Sequence, residues 1–168
     1  TFVSYRKIHL FDFDSPSGTR YRESEEVERG EVEKTVQVGR AHVGLSICYD
    51  LRFPELFRYL TLRKNAQLLS VPAAFTRETG KDHWHALLRA RAIENQVFVV
   101  AAAQWGSHKN SLGNELYCFG NSCVYSPWGD LIYCCEEEAD HLEVLDLDLE
   151  QVENCLLYTS DAADDTPC

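Results

Sequence analysis

The sequence predicts a layered α/β domain, and three features of the 168-residue chain lead to this fold class. Two short apolar runs, Ala66 to Pro72 (AQLLSVP) and Gln96 to Ala103 (QVFVVAAA), are typical of buried strands. Segments with helical periodicity separate these runs, and hairpin patterns precede and follow them. The length is sufficient for one domain with its own hydrophobic core.

The N-terminal third is predicted to contain strands and one irregular segment. Phe2 to Phe13 has the alternation of a strand followed by a loop, whereas Asp14 to Glu33 is polar and contains turn residues. Thr35 to Ile47 contains two β-rich runs, TVQV and HVGLSI, which the tripeptide GRA separates. This pattern predicts a hairpin that ends just before Cys48.

Two helices are predicted between the central strands. Pro54 suits the first turn of a helix, and the apolar residues after it repeat at helical spacing. Asp82 can cap a second helix, in which Trp84 and Leu88 share one face. Each helix would therefore connect two strands of the sheet.

A hairpin and a last strand are predicted near the C-terminus. Asn121 to Tyr125 and Leu131 to Cys135 are short apolar runs on either side of a PWGD turn. His141 to Leu149 alternates between polar and apolar residues, which predicts one more strand.

Composition and charge restrict the classes of partner. The chain is 45% hydrophobic and 11% aromatic, which is typical of a folded globular protein. A net charge of −11 argues against a nucleic-acid partner, and no apolar run approaches the length of a transmembrane helix. The seven cysteines follow no disulfide or zinc spacing. We therefore expect reduced core thiols, no bound metal, and a cytoplasmic location, with a mitochondrial one as the alternative.

Both ends of the chain differ from its centre. The sequence contains no methionine and begins within a strand-like alternation, so we expect an N-terminal part of the domain to be missing. The last segment, CLLYTSDAADDTPC, resembles a translated sequencing-library adapter. We therefore expect residues 1–154 to form the domain and residues 155–168 to be a non-native tail.

The stretch HVGLSICYDLRFPELF places Cys48 where a strand is followed by a helix. A thiolate is a strong nucleophile, and a helix N-terminus favours its formation. The backbone N–H of Tyr49 would lie beside an attacked carbonyl and could bind the developing oxyanion. The alternative is a buried structural thiol. The charged flank favours chemistry, although Arg52 could either bind substrate or pair with Asp50 or Glu55.

A cysteine nucleophile usually needs a base, and the histidines are candidates. His141 and Glu143 would suit a Cys–His–Glu arrangement of the glutamine amidotransferase kind, but those enzymes place glycines around the cysteine and SICYD has none beside it. His83 and His85 flank Trp84 on the second helix and face different sides, so they do not share a metal. Packed or solvated histidines are therefore the favoured interpretation.

Several longer segments resemble the nitrilase superfamily of carbon–nitrogen hydrolases. They are YRKIHLFD, RESEEVERG, GLSICYDLRFPEL, VPAAFTRETGKDHWHALLRARAIENQVFVVAAAQ and SPWGDL. The similarity is greatest to the branch of deaminated-glutathione and omega-amidases. It implies a four-layer α-β-β-α sandwich, here incomplete at the N-terminus.

The resemblance also implies a Glu–Lys–Cys site without metal or cofactor. Cys48 matches the nucleophile, Lys7 matches the catalytic lysine, and Glu23 matches a second glutamate near both. From the residues alone, Lys7 and Glu23 would be read as solvated charges. The base glutamate of the family belongs to an N-terminal segment that we expect this chain to lack.

The implied reaction is hydrolysis of a small amide that carries a carboxylate, with release of ammonia through a cysteine thioester. Arg52 would bind the carboxylate in two parallel hydrogen bonds. Phe75 and Thr79 follow the next strand and are predicted to line the same pocket. Members of the family pair through helices, so a homodimer or a higher homo-oligomer is expected. The alternative is an inactive fragment, or a non-catalytic binding protein with the same fold.

Overall fold

The computed structural model describes residues 3–14, 20–109, 113, 115–136 and 140–155. The strands in these residues are β1 (Asp12–Asp14), β2 (Arg20–Arg22), β3 (Thr35–Val38), β4 (Ala41–Leu45), β5 (Leu68–Ser70), β6 (Phe98–Ala101), β7 (Trp105–Lys109), β8 (Glu115–Phe119), β9 (Cys123–Tyr125) and β10 (Leu131–Cys134). The longer α-helices are α1 (Pro54–Leu62) and α2 (Arg77–Asn95), and 3-10 turns are formed by Glu23–Glu25 and Cys48–Arg52. Residues 150–155 are also helical.

Six strands form one mixed sheet in the order β10-β9-β6-β5-β4-β3. Strands β4, β5 and β6 are parallel to one another, and the outer strands are antiparallel to their neighbours. Helix α1 connects β4 to β5, and α2 connects β5 to β6, as parallel strands require. Because parallel strands end at the same edge of a sheet, the residues that follow these three strands meet there.

The hydrophobic core lies between the sheet and the two helices. Trp84 and Leu88 of α2, Phe57 of α1 and Phe98 of β6 are fully buried in it. Burying each such side chain contributes about 1.5–3 kcal/mol. The core therefore fixes the helices against the strands whose ends meet at one edge of the sheet.

Most elements around this core confirm the sequence prediction, including the α/β fold class. The β3–β4 and β9–β10 hairpins form, α1 begins at Pro54, and the two apolar runs become β5 and β6. Strands β5 and β6 are short and largely buried, so their local apolar pattern was enough to predict them. Among the described residues, no helix is long and apolar enough to span a membrane.

Three element predictions are wrong. The strand predicted from Phe2 to Phe13 is limited to its end, where β1 pairs with β2. Helix α2 begins at Arg77 rather than near Asp82, and Gly80 lies inside the helix, where a Cβ would meet the Phe119 side chain at 2.5 Å. His141 to Leu149 is not a strand, since none of the described strands lies beside it to form a ladder.

The sequence prediction also missed the antiparallel pair β7–β8. Its first strand, WGSHK, is polar and mostly exposed, so it lacks the apolar alternation on which the prediction depended. The predicted tail begins at Cys155, and its residues 156–168 lie outside the described part of the chain. The proposed domain boundary therefore stays a prediction.

Candidate active site

Cys48 follows β4 and begins the 3-10 turn Cys48–Arg52. Its φ angle is +47°, in the left-handed region that side chains with a Cβ rarely adopt. The Cys48 N–H donates a hydrogen bond to the Pro72 carbonyl oxygen at 2.9 Å, which ties the turn to the segment after β5. A strained residue held by a neighbouring strand end is typical of a functional position.

Lys7 and Glu23 form an ion pair beside this turn. The Lys7 Nζ lies 2.5 Å from Glu23 Oε2, and the Lys7 side chain is 6% exposed. The same carboxylate oxygen accepts a hydrogen bond from the Phe11 N–H at 2.7 Å. A buried charged group is costly unless it is paired, so the contact with Glu23 holds the lysine in position.

A cavity of about 580 Å³ brings the three predicted catalytic residues together. Its wall includes Lys7, Glu23 and Cys48. The segments that follow β5 and β6 also contribute, through Pro72, Ala73, Ala74 and Gln104. The site therefore lies at the edge where the parallel strands end, as the topology predicts.

The electrostatics of the thiol are set by opposing groups. Burial raises the pKa of Cys48 above its ordinary value, and the Lys7 ammonium opposes that rise most strongly. A hydrogen bond from the Ala74 N–H lowers the pKa further, whereas the carboxylates of Glu23 and Asp50 raise it. The resting group is thus a thiol rather than a thiolate, and it needs a base when it attacks a carbonyl.

Tyr49 combines an available N–H with a ring that two cations approach. Its N–H has no hydrogen-bond acceptor within the described residues, and it follows the nucleophile directly, where an oxyanion would form. The Lys7 Nζ and the Arg52 Cζ each lie 6.0 Å from the centre of the Tyr49 ring. The predicted oxyanion donor is therefore free to act.

The three predicted substrate-binding residues lie near one another but do not line the cavity that contains Cys48. Arg52 lies 5.2 Å from the centre of the Phe75 ring, and its Nη2 is 3.3 Å from His83 Nδ1. Phe75 is buried against Trp84. Thr79 shares a hydrogen bond of 2.8 Å with the Thr76 hydroxyl at the start of α2.

The sequence left open whether Arg52 pairs with a neighbouring carboxylate. Within the described residues Arg52 forms no ion pair with Asp50 or Glu55. The carboxylate of Asp50 is fully buried and bonded to Tyr5, His9 and Ile47 instead. The guanidinium of Arg52 is thus left without an acidic partner there.

The histidine-based alternative is not supported by the geometry. His141 does contact Glu143, at 3.3 Å, but the pair is exposed. Both residues border a different groove, of about 750 Å³, which runs along β6, β9 and β10. In the described part of the chain, no three His, Cys, Asp or Glu side chains are close enough to hold a metal ion.

Comparison with known proteins agrees with this arrangement. The family model described as carbon–nitrogen hydrolase matches residues 3–155. The chain belongs to this family. It is 44% identical over 153 residues to a deaminated glutathione amidase of Dictyostelium discoideum, covering 90% of this chain and 50% of the relative. It is 41% identical over 148 residues to the omega-amidase NIT2 of Xenopus tropicalis, covering 88% and 51%.

A solved structure has the same fold. The Caenorhabditis elegans NitFhit protein superposes with a TM-score of 0.76 and 42% identity, over 96% of this chain and 38% of that chain. The prediction of a nitrilase-type sandwich is thereby confirmed. The chain spans about half the length of the curated relatives that it matches.

Proposed function

We propose that the protein hydrolyses the C–N bond of a small amide that carries a carboxylate, with Cys48 as the nucleophile. The observation that carries this proposal is the meeting of Cys48, Lys7 and Glu23 in one cavity, although Lys7 and Cys48 are far apart in sequence. A lysine beside the thiol nucleophile can stabilise the oxyanion that develops during acyl transfer. The amidase names of two relatives support the same reaction class.

The reaction begins with removal of the Cys48 proton by the base glutamate that we expect on a preceding segment of the family fold. The sulfur attacks the amide carbon, and the carbonyl oxygen becomes an oxyanion that Lys7 Nζ and the Tyr49 N–H stabilise. The C–N bond breaks as the nitrogen takes up the proton that the base removed from Cys48. Ammonia departs, and the acyl group remains on the sulfur as a thioester. Water then attacks the thioester, which releases the carboxylic acid and restores the thiol.

The carboxylate of the substrate is assigned to Arg52. Its guanidinium has no acidic partner in the described residues, and it flanks the same Tyr49 ring as the Lys7 ammonium. Guanidinium binds carboxylate in two parallel hydrogen bonds. The Arg52 guanidinium lies over the Phe75 ring, and Thr79 lies in the first turn of α2.

Ammonia release tests the proposal. The assay uses the full-length gene product, with the omega-amides of four- and five-carbon dicarboxylic acids and a neutral amide of equal length. We expect turnover of the acidic amides, loss of turnover in Cys48→Ala, and a raised KM for acidic amides alone in Arg52→Gln. Turnover that survives Cys48→Ala would refute the nucleophile. Binding of the amide without turnover would favour the non-catalytic alternative.

We also propose that the protein assembles as a homodimer through its helices. A groove of about 470 Å³ between α1 and α2 is lined by both apolar and charged residues, namely Pro54, Glu55, Arg58, Tyr59, Leu62, Arg63 and Glu94. The Leu62 side chain there is 63% exposed. A second copy would remove this apolar surface from water. The cytoplasmic location stays a prediction.

A further inference from the structure

Asp50 is a fully buried carboxylate in the turn that begins at Cys48. Its Oδ2 accepts hydrogen bonds from the Tyr5 hydroxyl at 2.8 Å and the Ile47 N–H at 2.9 Å. Its Oδ1 accepts one from the His9 N–H at 2.9 Å and lies 2.8 Å from His9 Nδ1. Every partner therefore belongs either to the nucleophile turn or to the segment that contains Lys7.

The hydrogen-bond partners of Asp50 lie on both sides of Lys7 and directly before Cys48. Tyr5 and His9 stand two residues before and two residues after Lys7, so one carboxylate holds both sides of the lysine segment. Ile47 directly precedes Cys48, so the same carboxylate also closes the strained turn from inside. Phe53, at the end of that turn, stacks on the His9 ring at 3.6 Å.

We propose that Asp50 is a positioning residue that sets the distance between the Lys7 ammonium and the Cys48 sulfur. The inference rests on the proposed function of these two residues, but it concerns their geometry rather than turnover. Asp50 does not touch the substrate cavity itself. It acts through two segments that are far apart in sequence and that no strand pairing joins, since residues 3–11 form no strand.

The charge of Asp50 and its proposed positioning of Lys7 have opposite effects on the pKa of the Cys48 thiol. The negative charge of Asp50 raises the pKa of Cys48, whereas the Lys7 ammonium lowers it. Replacing Asp50 by Asn removes the charge, which by itself would lower the thiol pKa. Loss of the lysine from its place would raise it. The sign of the change therefore separates a positioning role from a simple electrostatic one.

The experiment measures the rate of alkylation of Cys48 by iodoacetamide against pH, resolved by peptide mass spectrometry because the chain has seven cysteines. It uses the 168-residue chain with Lys7→Met, Asp50→Asn and the double variant. Asp82→Asn, an exposed acid on α2, is the matched control. Circular dichroism and thermal unfolding check that each variant folds.

We expect Lys7→Met to raise the apparent thiol pKa, with about a tenfold loss of rate for each pKa unit. Asp50→Asn should raise it as well, and adding Lys7→Met to it should change little. A lower or unchanged pKa in Asp50→Asn, with the full Lys7 effect retained, would overturn the proposal. Asp82→Asn should match the unaltered chain.

A second variant decides the matter if Asp50→Asn does not fold. Tyr5→Phe removes one donor to Asp50 and alters no charge. A raised Cys48 pKa with a weakened Lys7 effect supports positioning, and an unchanged pKa refutes it. The test needs no amidase activity, so a protein that releases no ammonia would contradict the proposed function and leave this result intact.

Discussion

The ion pair between Lys7 and Glu23 should be worth far more than an ordinary surface pair. Glu23→Gln keeps the shape of the side chain and an oxygen that can still accept from the Phe11 N–H, but it removes the charge that faces the lysine. Breaking a buried pair costs about 3–5 kcal/mol. The Glu23 side chain is 28% exposed, so solvent reduces the loss, and we expect about 2–3 kcal/mol.

Urea unfolding followed by circular dichroism measures this loss directly, and thermal unfolding provides a second readout. For a chain of this size, each kcal/mol lowers the unfolding temperature by about 2–4 °C, so the thermal midpoint should fall by about 4–12 °C. The variant should also alkylate Cys48 more slowly at a given pH, because a lysine without its partner is no longer held beside the sulfur.

Glu28→Gln provides the matched control. Glu28 pairs with Arg6, the residue next to Lys7, but the two side chains are 78% and 65% exposed. Exposed pairs contribute little, so this variant should unfold like the unaltered chain. Equal effects of the two substitutions would show that burial of the lysine does not strengthen its pair, and the reasoning would be wrong.

Three further predictions concern the core, a buried thiol and the helical surface. Leu88→Ala should cost about 2–5 kcal/mol in urea unfolding, and a loss below about 1 kcal/mol would contradict its full burial. Burial raises the pKa of Cys123 to about 12, so its thiol favours folding at neutral pH. This contribution should be lost as pH rises from about 9 to about 12, and Cys123→Val should flatten that decline; an equal slope in the variant would refute the assignment. Leu62→Asp should halve the mass measured by light scattering if α1 lies in a dimer interface, and an unchanged mass would exclude this interface.

The sequence was sufficient for the central part of the fold because its signals there are local. The alternation of buried strand and amphipathic helix from β4 to β6 follows from residues such as Leu60 and Leu88, which are apolar and correctly spaced. The start of α2 was not predictable, because glycine normally disfavours a helix. The structure shows that the Phe119 side chain packs where a Cβ of residue 80 would lie, so that glycine fits there inside the helix. Strand β7 lacked any apolar signal.

The site was predicted in part for a different reason. Cys48 could be proposed from its place between a strand and a helix, but Lys7 and Glu23 were distinguished from surface charges only by the family resemblance. The sequence shows Asp50 only as a charge beside the cysteine and as a possible partner of Arg52. Two of its partners in the structure, Tyr5 and His9, are more than forty residues away, and no local pattern could indicate them.

The left-handed backbone at Cys48 means that a side chain is kept there despite a cost in stability. Glycine adopts such an angle without penalty, so Cys48→Gly should be more stable than Cys48→Ala by about 1 kcal/mol, although neither can attack a carbonyl. A lineage that no longer needed the chemistry would gain stability by drifting to glycine. Glycine at this position in a related gene would therefore indicate that selection no longer maintains the cysteine chemistry there.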